Sequence, residues 1–513
     1  MDIILLGLNE ILSANVLIAI LFGALLGVSI GSIPGLEPAG VIAILLPLTF
    51  TLDPLPGVTL LLGVYGGAWY GGAIPAILMN TPGTPVAVLT TYDGYPMTQK
   101  GEGKRALSIA YSSSFIGGII SVLSLVLLAP VLSQVANHFG SAEFAMLAAL
   151  GMIFVVMAHY RQAFAAAMML GLGIFLGSVG IDRSYNTLTY TFEQEWLMSG
   201  IPLVPTVIGL FAMSQAFVLL SQKGNDSKVT KYEGKGRFSG IFTVLKYKIT
   251  VIRSAALGVF MGLLPGVGEF GSQFFSYTLA QKFSKKPEQF GKGAEEGLIA
   301  SETSNNAVTA SVMIPLLAFG IPADAMMAML LSVFMVHNYT PGPTLFAERP
   351  EFISGLYISL FLINIVAFLY LTFTSKWIVN LTRIRGRFIG AVILVLGFVG
   401  SYSQNYQFSD ALIALGFAVF GYILKRENIP AVPIILGLVL GPVFVTRSKQ
   451  ALGVSNGDLS IFIERPISLA LLGLICLSVI LFIFSMFKDK QNKSSTINLN
   501  QKQSVTTKGI NHE

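Results

Sequence analysis

Neutral polar side chains interrupt the apolar stretches of this chain at a few points. They are Asn80, Thr81 and Thr84 in the first half, and Ser304, Asn305 and Asn306 in the second. Their hydroxyl and amide groups can hydrogen-bond carboxylate oxygens, which makes them candidate ligands for an organic anion. The alternative is packing between membrane helices, where small polar residues are common.

Three acidic side chains, Glu37, Glu302 and Asp324, are flanked by long apolar stretches. Charged groups at membrane depth are costly, so they tend to face a cavity, a coupling ion or a proton path. We predict these three as candidate sites for a coupling cation, Na⁺ or H⁺. For Glu37, a position at a water-exposed mouth is an equally good interpretation.

Two Pro-Gly breaks divide apolar helix patterns at matching places. Gly27–Leu36 and Gly258–Val267 share Gly-Val, Gly and Pro-Gly at an offset of 231 residues. A second and weaker pairing places Asn80–Pro85 beside Gly320–Ala325 at a larger offset. The first match predicts an internal duplication, and chance coincidence of common membrane residues is the alternative.

A helix that breaks inside a membrane exposes N–H groups, which attract anions, and carbonyl groups, which suit a small cation. Residues 1–99, 254–281 and 293–348 contain no Lys or Arg. A bound anion would therefore need backbone amides, hydroxyls, Asn side chains and co-bound cations. The predicted substrate-binding residues are Pro34, Gly35, Asn80, Thr81, Pro82, Gly83, Thr84, Pro265, Gly266, Ser304, Asn305, Asn306, Gly320 and Pro322.

The composition places the chain in a lipid bilayer. Of 513 residues, 53% are hydrophobic and 11% charged, with a mean hydropathy of +0.72. We predict an all-α polytopic membrane protein with about 10–12 transmembrane helices plus re-entrant or broken helices. The net charge of +6 does not indicate a nucleic-acid partner, because the basic residues lie at the ends of apolar runs and report orientation.

The distribution of basic clusters predicts four segments: a first membrane half at 1–222, a basic cytoplasmic linker at 223–248, a second membrane half at 249–487, and a disordered cytoplasmic tail at 488–513. Counting alternate sides of the membrane gives the two halves opposite orientations. They are therefore predicted to be inverted-topology repeats.

The sequence gives little support for an enzyme. It has neither the His-Glu-x-x-His pattern of metalloproteases nor a P-loop. The single cysteine, Cys476, excludes a Cys-rich metal site, and the histidines are isolated. We predict no catalytic residue, no resident metal and no cofactor.

Several short motifs together resemble the large membrane subunit of tripartite tricarboxylate transporters, the TctA family. They are Gly31–Gly35, Tyr65–Gly67, Ile77–Pro85, Asp93–Pro96, Leu264–Gly268, Phe290–Gly293, Glu302–Ala307 and Gly320–Pro322. The resemblance covers about residues 15–485. It departs from the usual pattern at Glu37 and at Ala323-Asp324.

The resemblance implies a secondary transporter that imports organic carboxylates of the tricarboxylate or dicarboxylate type. Transport would be coupled to a cation gradient and proceed by alternating access. The implied partners are a small membrane subunit and a periplasmic solute-binding protein, and the implied location is the bacterial inner membrane. The alternatives are a passive anion channel and a membrane scaffold subunit.

Overall fold

The computed structural model describes residues 2–182, 187–221, 239–266, 268–383 and 386–484. The predicted tail 488–513 and most of the predicted linker 223–248 lie outside these described residues. The end of the predicted linker forms a short helix, Ser239–Lys246.

The described chain is almost entirely helical. Its first half contains α1 (Asp2–Ile11), α2 (Ala14–Gly31), α3 (Pro38–Thr49), α4 (Pro54–Met79), α5 (Val88–Gln99), α6 (Gly103–Ala136), α7 (Ser141–Ala158), α8 (Ala163–Gly177), α9 (Glu195–Met198), α10 (Leu203–Val207) and α11 (Ser214–Ser221). A π-helix, Ile208–Met213, joins α10 to α11. A small hairpin pairs β1 (Gly180–Asp182) with β2 (Thr187–Thr189) in antiparallel register, Gly180 opposite Thr189.

The described residues of the second half are also helical. It contains α12 (Ser239–Lys246), α13 (Lys248–Gly262), α14 (Gly268–Phe283), α15 (Glu295–Ser311), α16 (Met313–Phe319), α17 (Ala325–Val336), α18 (Pro343–Glu348), α19 (Pro350–Ile378), α20 (Gly386–Asn405), α21 (Phe408–Arg426), α22 (Val432–Val454), α23 (Ile461–Glu464) and α24 (Pro466–Phe484). Short 3₁₀ turns occur at Pro85–Ala87, Tyr160–Gln162, Pro287–Gln289 and Val379–Arg383.

Within the described residues, 11 helices are long and apolar enough to cross a membrane. This number confirms the predicted polytopic all-α class. Among the candidate spans, α4 is the most enclosed, with 94% of its apolar window buried, whereas α24 has only 11% buried. Helix α4 is therefore a central element, and α24 lies at the periphery.

Helices α2 and α4 approach closely because both carry small residues at every fourth position. The glycines concerned are Gly23, Gly27 and Gly31 on α2, and Gly63, Gly67 and Gly71 on α4. A Cβ atom at these positions would collide with the backbone of the facing helix. This is the small-xxx-small packing that membrane helices use when no side chain separates them.

Equivalent helices of the two halves pack against equivalent partners in the opposite half. Helix α1 packs on α19 as α12 packs on α6, and α4 packs on α19 as α15 packs on α6. Helices α20 and α21 enclose α11, while α7 and α8 enclose α22. The internal duplication predicted from the first Pro-Gly pair is therefore present in the packing, and each half completes the other.

The direction of α4 follows from its contacts with α6 and α19. Leu78, near the end of α4, packs against Gly103 at the start of α6. About two turns earlier on α4, the Tyr70 hydroxyl donates to Asn364 of α19, which packs against Gly118 of α6. Residue numbers therefore decrease along α4 in the direction in which they increase along α6, so the two helices are antiparallel.

Helix α15 runs the other way. The Ser114 hydroxyl of α6 donates to Glu302 Oε2 at 2.8 Å, and the Ser121 hydroxyl donates to the Ala307 carbonyl at 2.7 Å. Residue numbers increase in the same direction along the two helices, so α15 is parallel to α6 and antiparallel to α4. Since α4 and α15 hold equivalent places in the two halves, the repeats are inverted.

Candidate functional site

The first helix break has the same backbone conformation in both halves. Gly35, between α2 and α3, has φ 84°, and Gly266, between α13 and α14, has φ 79°. Both values lie in the left-handed region that favours glycine. The first predicted pairing is confirmed.

The second break also recurs, at an offset of 240 residues. Asn80 ends α4 with φ 55°, and Gly320 ends α16 with φ 72°. In each helix a proline lies five residues earlier, and its carbonyl accepts the N–H of the residue after the left-handed cap: Pro75 from Thr81 and Pro315 from Ile321, both at 3.3 Å. The weaker predicted pairing is therefore also confirmed.

Within each half, the two breaks touch. The Gly83 N–H faces the Gly72 carbonyl at 3.4 Å, and a side chain at Gly83 would collide with the Gly31 carbonyl. In the second half, the Gly266 N–H donates to the Ala323 carbonyl at 2.7 Å. The breaks of one half therefore form one unit.

The helix that follows the second break crosses to the opposite half. Helix α5 packs on α14 and α15, whereas α17 packs on α3 and α4. Residues between α4 and α5 thus face the second repeat, and residues between α16 and α17 face the first. The centre of the molecule is shared by both repeats.

Glu302 lies at this shared centre, fully buried on α15. Its carboxylate accepts hydrogen bonds from the hydroxyl of Thr90 on α5 and from that of Ser114 on α6. Among the described residues, no Lys or Arg forms an ion pair with it. A buried carboxylate supported only by hydroxyl groups is a site where a proton or a small cation can bind.

Two buried amides without partners lie on the same side of α15 as this carboxylate. Asn305 and Asn306 follow Glu302 by three and four residues, which places all three on one side of α15. Both amide groups are 1% exposed and have no hydrogen-bond partner in the part of the chain that the structure describes. Buried amides are normally hydrogen-bonded, so these two are available to a ligand.

Thr84 and Gln273 extend the same polar region. Thr84 precedes the turn that leads into α5, and its buried hydroxyl has no partner within the described ranges. Gln273 is fully buried with both amide atoms unpaired there. It lies one turn before Tyr277, which contacts α5 through Asp93, so Gln273 is on the α5-facing side of α14. We call Thr84, Thr90, Gln273, Glu302, Asn305 and Asn306 the α5–α15 site.

Glu37 lies elsewhere, at the first break, and it has a basic partner. Lys425 Nζ lies 3.2 Å from Glu37 Oε2 and 2.6 Å from Gln215 Oε1, and the Gln215 amide donates to the Gly35 carbonyl. The Glu37 side chain is 34% exposed. The expectation that no basic residue lies near the breaks is wrong here, because folding brings Lys425 from α21 to a stretch whose own sequence contains none.

Asp324 begins α17. Its Oδ1 accepts the Met327 N–H at 2.7 Å, and Tyr65 of α4 is its side-chain hydrogen-bond neighbour. This carboxylate therefore stabilises a helix N-terminus, where negative charge is favourable.

The structure brings together only part of the predicted substrate set. Thr84, Asn305 and Asn306 share the α5–α15 site, and the buried Gly83 supports it. Asn80, Thr81 and Gly35 are exposed, and Pro34 and Pro82 are half-buried. The Ser304 hydroxyl donates to the Ser301 carbonyl of its own helix. The second-half breaks contain Pro265, Gly266, Gly320 and Pro322 beside Asp324.

Sequence reasoning missed Thr90, Ser114 and Gln273. Thr90 follows the Pro-Gly-Thr-Pro stretch closely, which offered a weak signal. Ser114 lies in a run of three serines on a helix, where a packing role is the usual expectation. Gln273 could be placed only from the packing of α14 on α5.

Two segments that are distant in sequence, Asp93–Met97 and Lys285–Gly293, contact each other. Buried Asp93 accepts the N–H groups of Gly293 and Ala294 at 2.9 and 2.8 Å and the Tyr277 hydroxyl at 2.9 Å. Burial raises the pKa of this carboxyl, and the hydrogen bonds oppose that rise. Asp93 thereby fixes α5 to the start of α15, beside the α5–α15 site.

One stretch has the Gly-x-Ser-x-Gly spacing of a serine-hydrolase nucleophile elbow, Gly27–Gly31. It lies inside the continuous helix α2, and the Ser29 hydroxyl donates to the Leu25 carbonyl at 2.7 Å. A nucleophile elbow requires a sharp turn between a strand and a helix, which is not the geometry here.

Comparison with known proteins gives a consistent result. The family model described as Tripartite tricarboxylate transporter TctA family matches residues 17–436. An Agrobacterium vitis protein, "Uncharacterized 52.8 kDa protein in TAR-I ttuC' 3'region", is 35% identical over 476 residues, covering 92% of this chain and 94% of its own. A second protein of that species, "Uncharacterized protein in TAR-II ttuC' 3'region", is 34% identical over 237 residues, covering 46% of this chain and 98% of its own. No solved structure matches the chain.

Proposed function

Because the chain belongs to the tripartite tricarboxylate transporter TctA family, we propose that it is a secondary transporter subunit that imports organic carboxylates, coupled to a cation gradient. Its partners would be a small membrane subunit and a periplasmic solute-binding protein. We place it in the bacterial inner membrane with its C-terminus in the cytoplasm.

The observation that carries the proposal is the α5–α15 site. Leaving a buried amide or hydroxyl unpaired costs about 1–3 kcal/mol, so several such groups together favour a ligand that satisfies them. Thr84, Gln273, Asn305 and Asn306 can all donate hydrogen bonds to carboxylate oxygens. A site of neutral donors lets a carboxylate bind without holding it as tightly as a salt bridge would.

Glu302 is the best candidate for the coupling cation. Among the three predicted acids, Glu37 is paired with Lys425 and Asp324 stabilises the start of α17. Glu302 has only hydroxyl partners, so its buried negative charge needs Na⁺ or a proton. A cation bound there would also reduce repulsion between Glu302 and an anionic substrate.

The interlocked repeats support the proposal of alternating access. Thr84 and Thr90 belong to the first repeat, and Glu302, Asn305 and Asn306 belong to the second. Movement of one repeat against the other would expose the site to each side of the membrane in turn, as in other carriers with inverted repeats.

Uptake into proteoliposomes tests the proposal. The chain is purified with its co-expressed membrane subunit, and labelled citrate or succinate is supplied with the cognate binding protein under an imposed Na⁺ or pH gradient. Accumulation above the external concentration, abolished by collapsing the gradient, is the expected result. Equilibration without accumulation would favour a passive anion channel, and no uptake of either compound would favour a scaffold subunit.

A further inference from the structure

The inverted repeats assign each residue around the second break an equivalent in the other half. The offset of 240 that pairs Pro75 with Pro315 also pairs Thr84 with Asp324. Both residues are in extended backbone immediately before the next helical segment. Along the preceding helices, the same offset pairs Tyr65 of α4 with Asn305 of α15.

One of these two equivalent places is filled by the chain itself. The Asp324 carboxylate accepts the Met327 N–H and has Tyr65 as its side-chain neighbour. The Asp324 carboxylate therefore lies between the start of α17 in the second repeat and the middle of α4 in the first.

The other place has hydrogen-bonding groups but no carboxylate at the position equivalent to Asp324. Thr84 and Asn305 are each 1% exposed, and neither side chain has a hydrogen-bond partner in the described portion of the chain. The Thr84 hydroxyl oxygen is one bond closer to the backbone than the carboxylate oxygens of Asp324, and Asn305 stands where the other half has Tyr65. Hydrogen-bond donors are therefore present, but residue 84 supplies no negative charge where residue 324 does.

The surroundings of the two places also differ in polarity. Glu302 and Thr90, which hydrogen-bond each other, correspond to Leu62 and Leu330, which are buried in the apolar core. Only the Thr84 side therefore has a polar lining that can accept a solute and a cation. The two places therefore have equivalent backbone positions, but only the place beside Thr84 is lined by polar side chains.

We propose that a carboxylate group of the substrate binds beside Thr84 and Asn305, in the place equivalent to that of the Asp324 carboxylate. This inference rests on the proposed transport of carboxylates. Each chain would then have one substrate site, because the Asp324 carboxylate already occupies the equivalent place in the other repeat. It also predicts that a carboxylate side chain at residue 84 competes with the substrate.

Thr84→Asp tests this directly in the proteoliposome assay. The variant should lose carboxylate uptake by about tenfold or more, because its own carboxylate fills the site and repels the substrate. Thr84→Ser, which keeps the hydroxyl, should retain uptake. Thr51→Asp adds the same charge at an exposed position between α3 and α4 and serves as the matched control. Wild-type rates for Thr84→Asp would overturn the inference.

A thiol at the same position gives a test that does not depend on the aspartate variant folding. Thr84→Cys is made in a Cys476→Ser background, which removes the single native cysteine. The probe is an anionic methanethiosulfonate, and citrate or succinate, whichever the wild type accumulates, should slow modification about tenfold, whereas modification of Thr51→Cys should be unaffected. Equal rates with and without substrate, or no modification at all, would overturn the inference. Failure of the wild type to transport either compound would instead count against the proposed function.

Discussion

The Thr90 hydroxyl on α5 donates a hydrogen bond to the buried carboxylate of Glu302 on α15. The two residues belong to different inverted repeats, and each lies close in sequence to a predicted motif. Their contact joins the second helix break of the first repeat to the polar side of a central helix in the second. Substitution of Glu302 therefore alters a hydrogen bond to the helix that follows Thr84.

Replacement of Glu302 by Gln should uncouple transport from the cation gradient. Gln keeps the size of the side chain and an oxygen that accepts hydrogen bonds from Thr90 or Ser114, but it has no charge to attract a cation. In the wild type we expect the coupling cation to raise apparent substrate affinity by about 5- to 150-fold, and in Glu302→Gln not at all.

The measurement is substrate uptake at varied Na⁺ and pH, compared with substrate exchange under equal conditions on both sides. Glu348→Gln, at an exposed position in α18, is the control. Unchanged cation dependence in Glu302→Gln would show that the coupling site lies elsewhere.

Replacement of Asn305 or Asn306 by Leu should reduce uptake and stabilise the protein. Leu has the same branching and the same number of side-chain heavy atoms as Asn, and it removes buried amide atoms that are unpaired in the described structure. We expect each variant to gain about 1 kcal/mol of stability without substrate and to lose the stabilisation that substrate gives the wild type. Thermal unfolding in detergent, with and without carboxylate, measures both effects.

Ser301→Ala is the matched control for the asparagine variants, since the Ser301 hydroxyl is also buried on α15 but donates to the Gly297 carbonyl of its own helix. Substrate-dependent stabilisation in Asn305→Leu and Asn306→Leu equal to that of the wild type would rule out both amides as ligands.

Asn80 should contribute through its backbone conformation, because its side chain is exposed and its φ is 55°. Asn80→Ala is expected to destabilise the protein by about 1 kcal/mol, whereas Asn80→Gly should not. Gly320→Ala, at the equivalent left-handed cap, should show a similar loss. Melting temperatures in detergent distinguish this from a ligand role, in which Asn80→Gly would lose uptake at unchanged stability.

Asp93→Ala should release the segment before α15. The N–H groups of Gly293 and Ala294 and the Tyr277 hydroxyl would lose a shared acceptor, at a cost of about 1–3 kcal/mol. Faster trypsin cleavage after Lys285 or Lys292 is the expected observation. Asp93→Asn retains one acceptor oxygen and should show a smaller effect, and cleavage as slow as in the wild type for both variants would contradict the assigned anchoring role.

The sequence alone predicted the membrane class, both pairs of breaks and the inversion, because these depend on local residue order and on the positions of basic residues. It also singled out Glu302, Asn305 and Asn306 as candidates, since polar residues within an apolar helix are conspicuous; their role in binding stays a prediction. It could not place Lys425 beside Glu37, Gln273 beside α5 or Thr90 on Glu302. Those contacts join residues from different helices and depend on how the repeats exchange their packing.

In the proposed mechanism, the α5–α15 site binds a carboxylate, and a cation gradient drives its transport. The most direct measurement is the accumulation of labelled citrate or succinate in proteoliposomes with an imposed gradient, for the wild type and Asn305→Leu side by side. We predict accumulation by the wild type that collapses with the gradient, and little by Asn305→Leu. Equal accumulation by both proteins would contradict the assignment of the site.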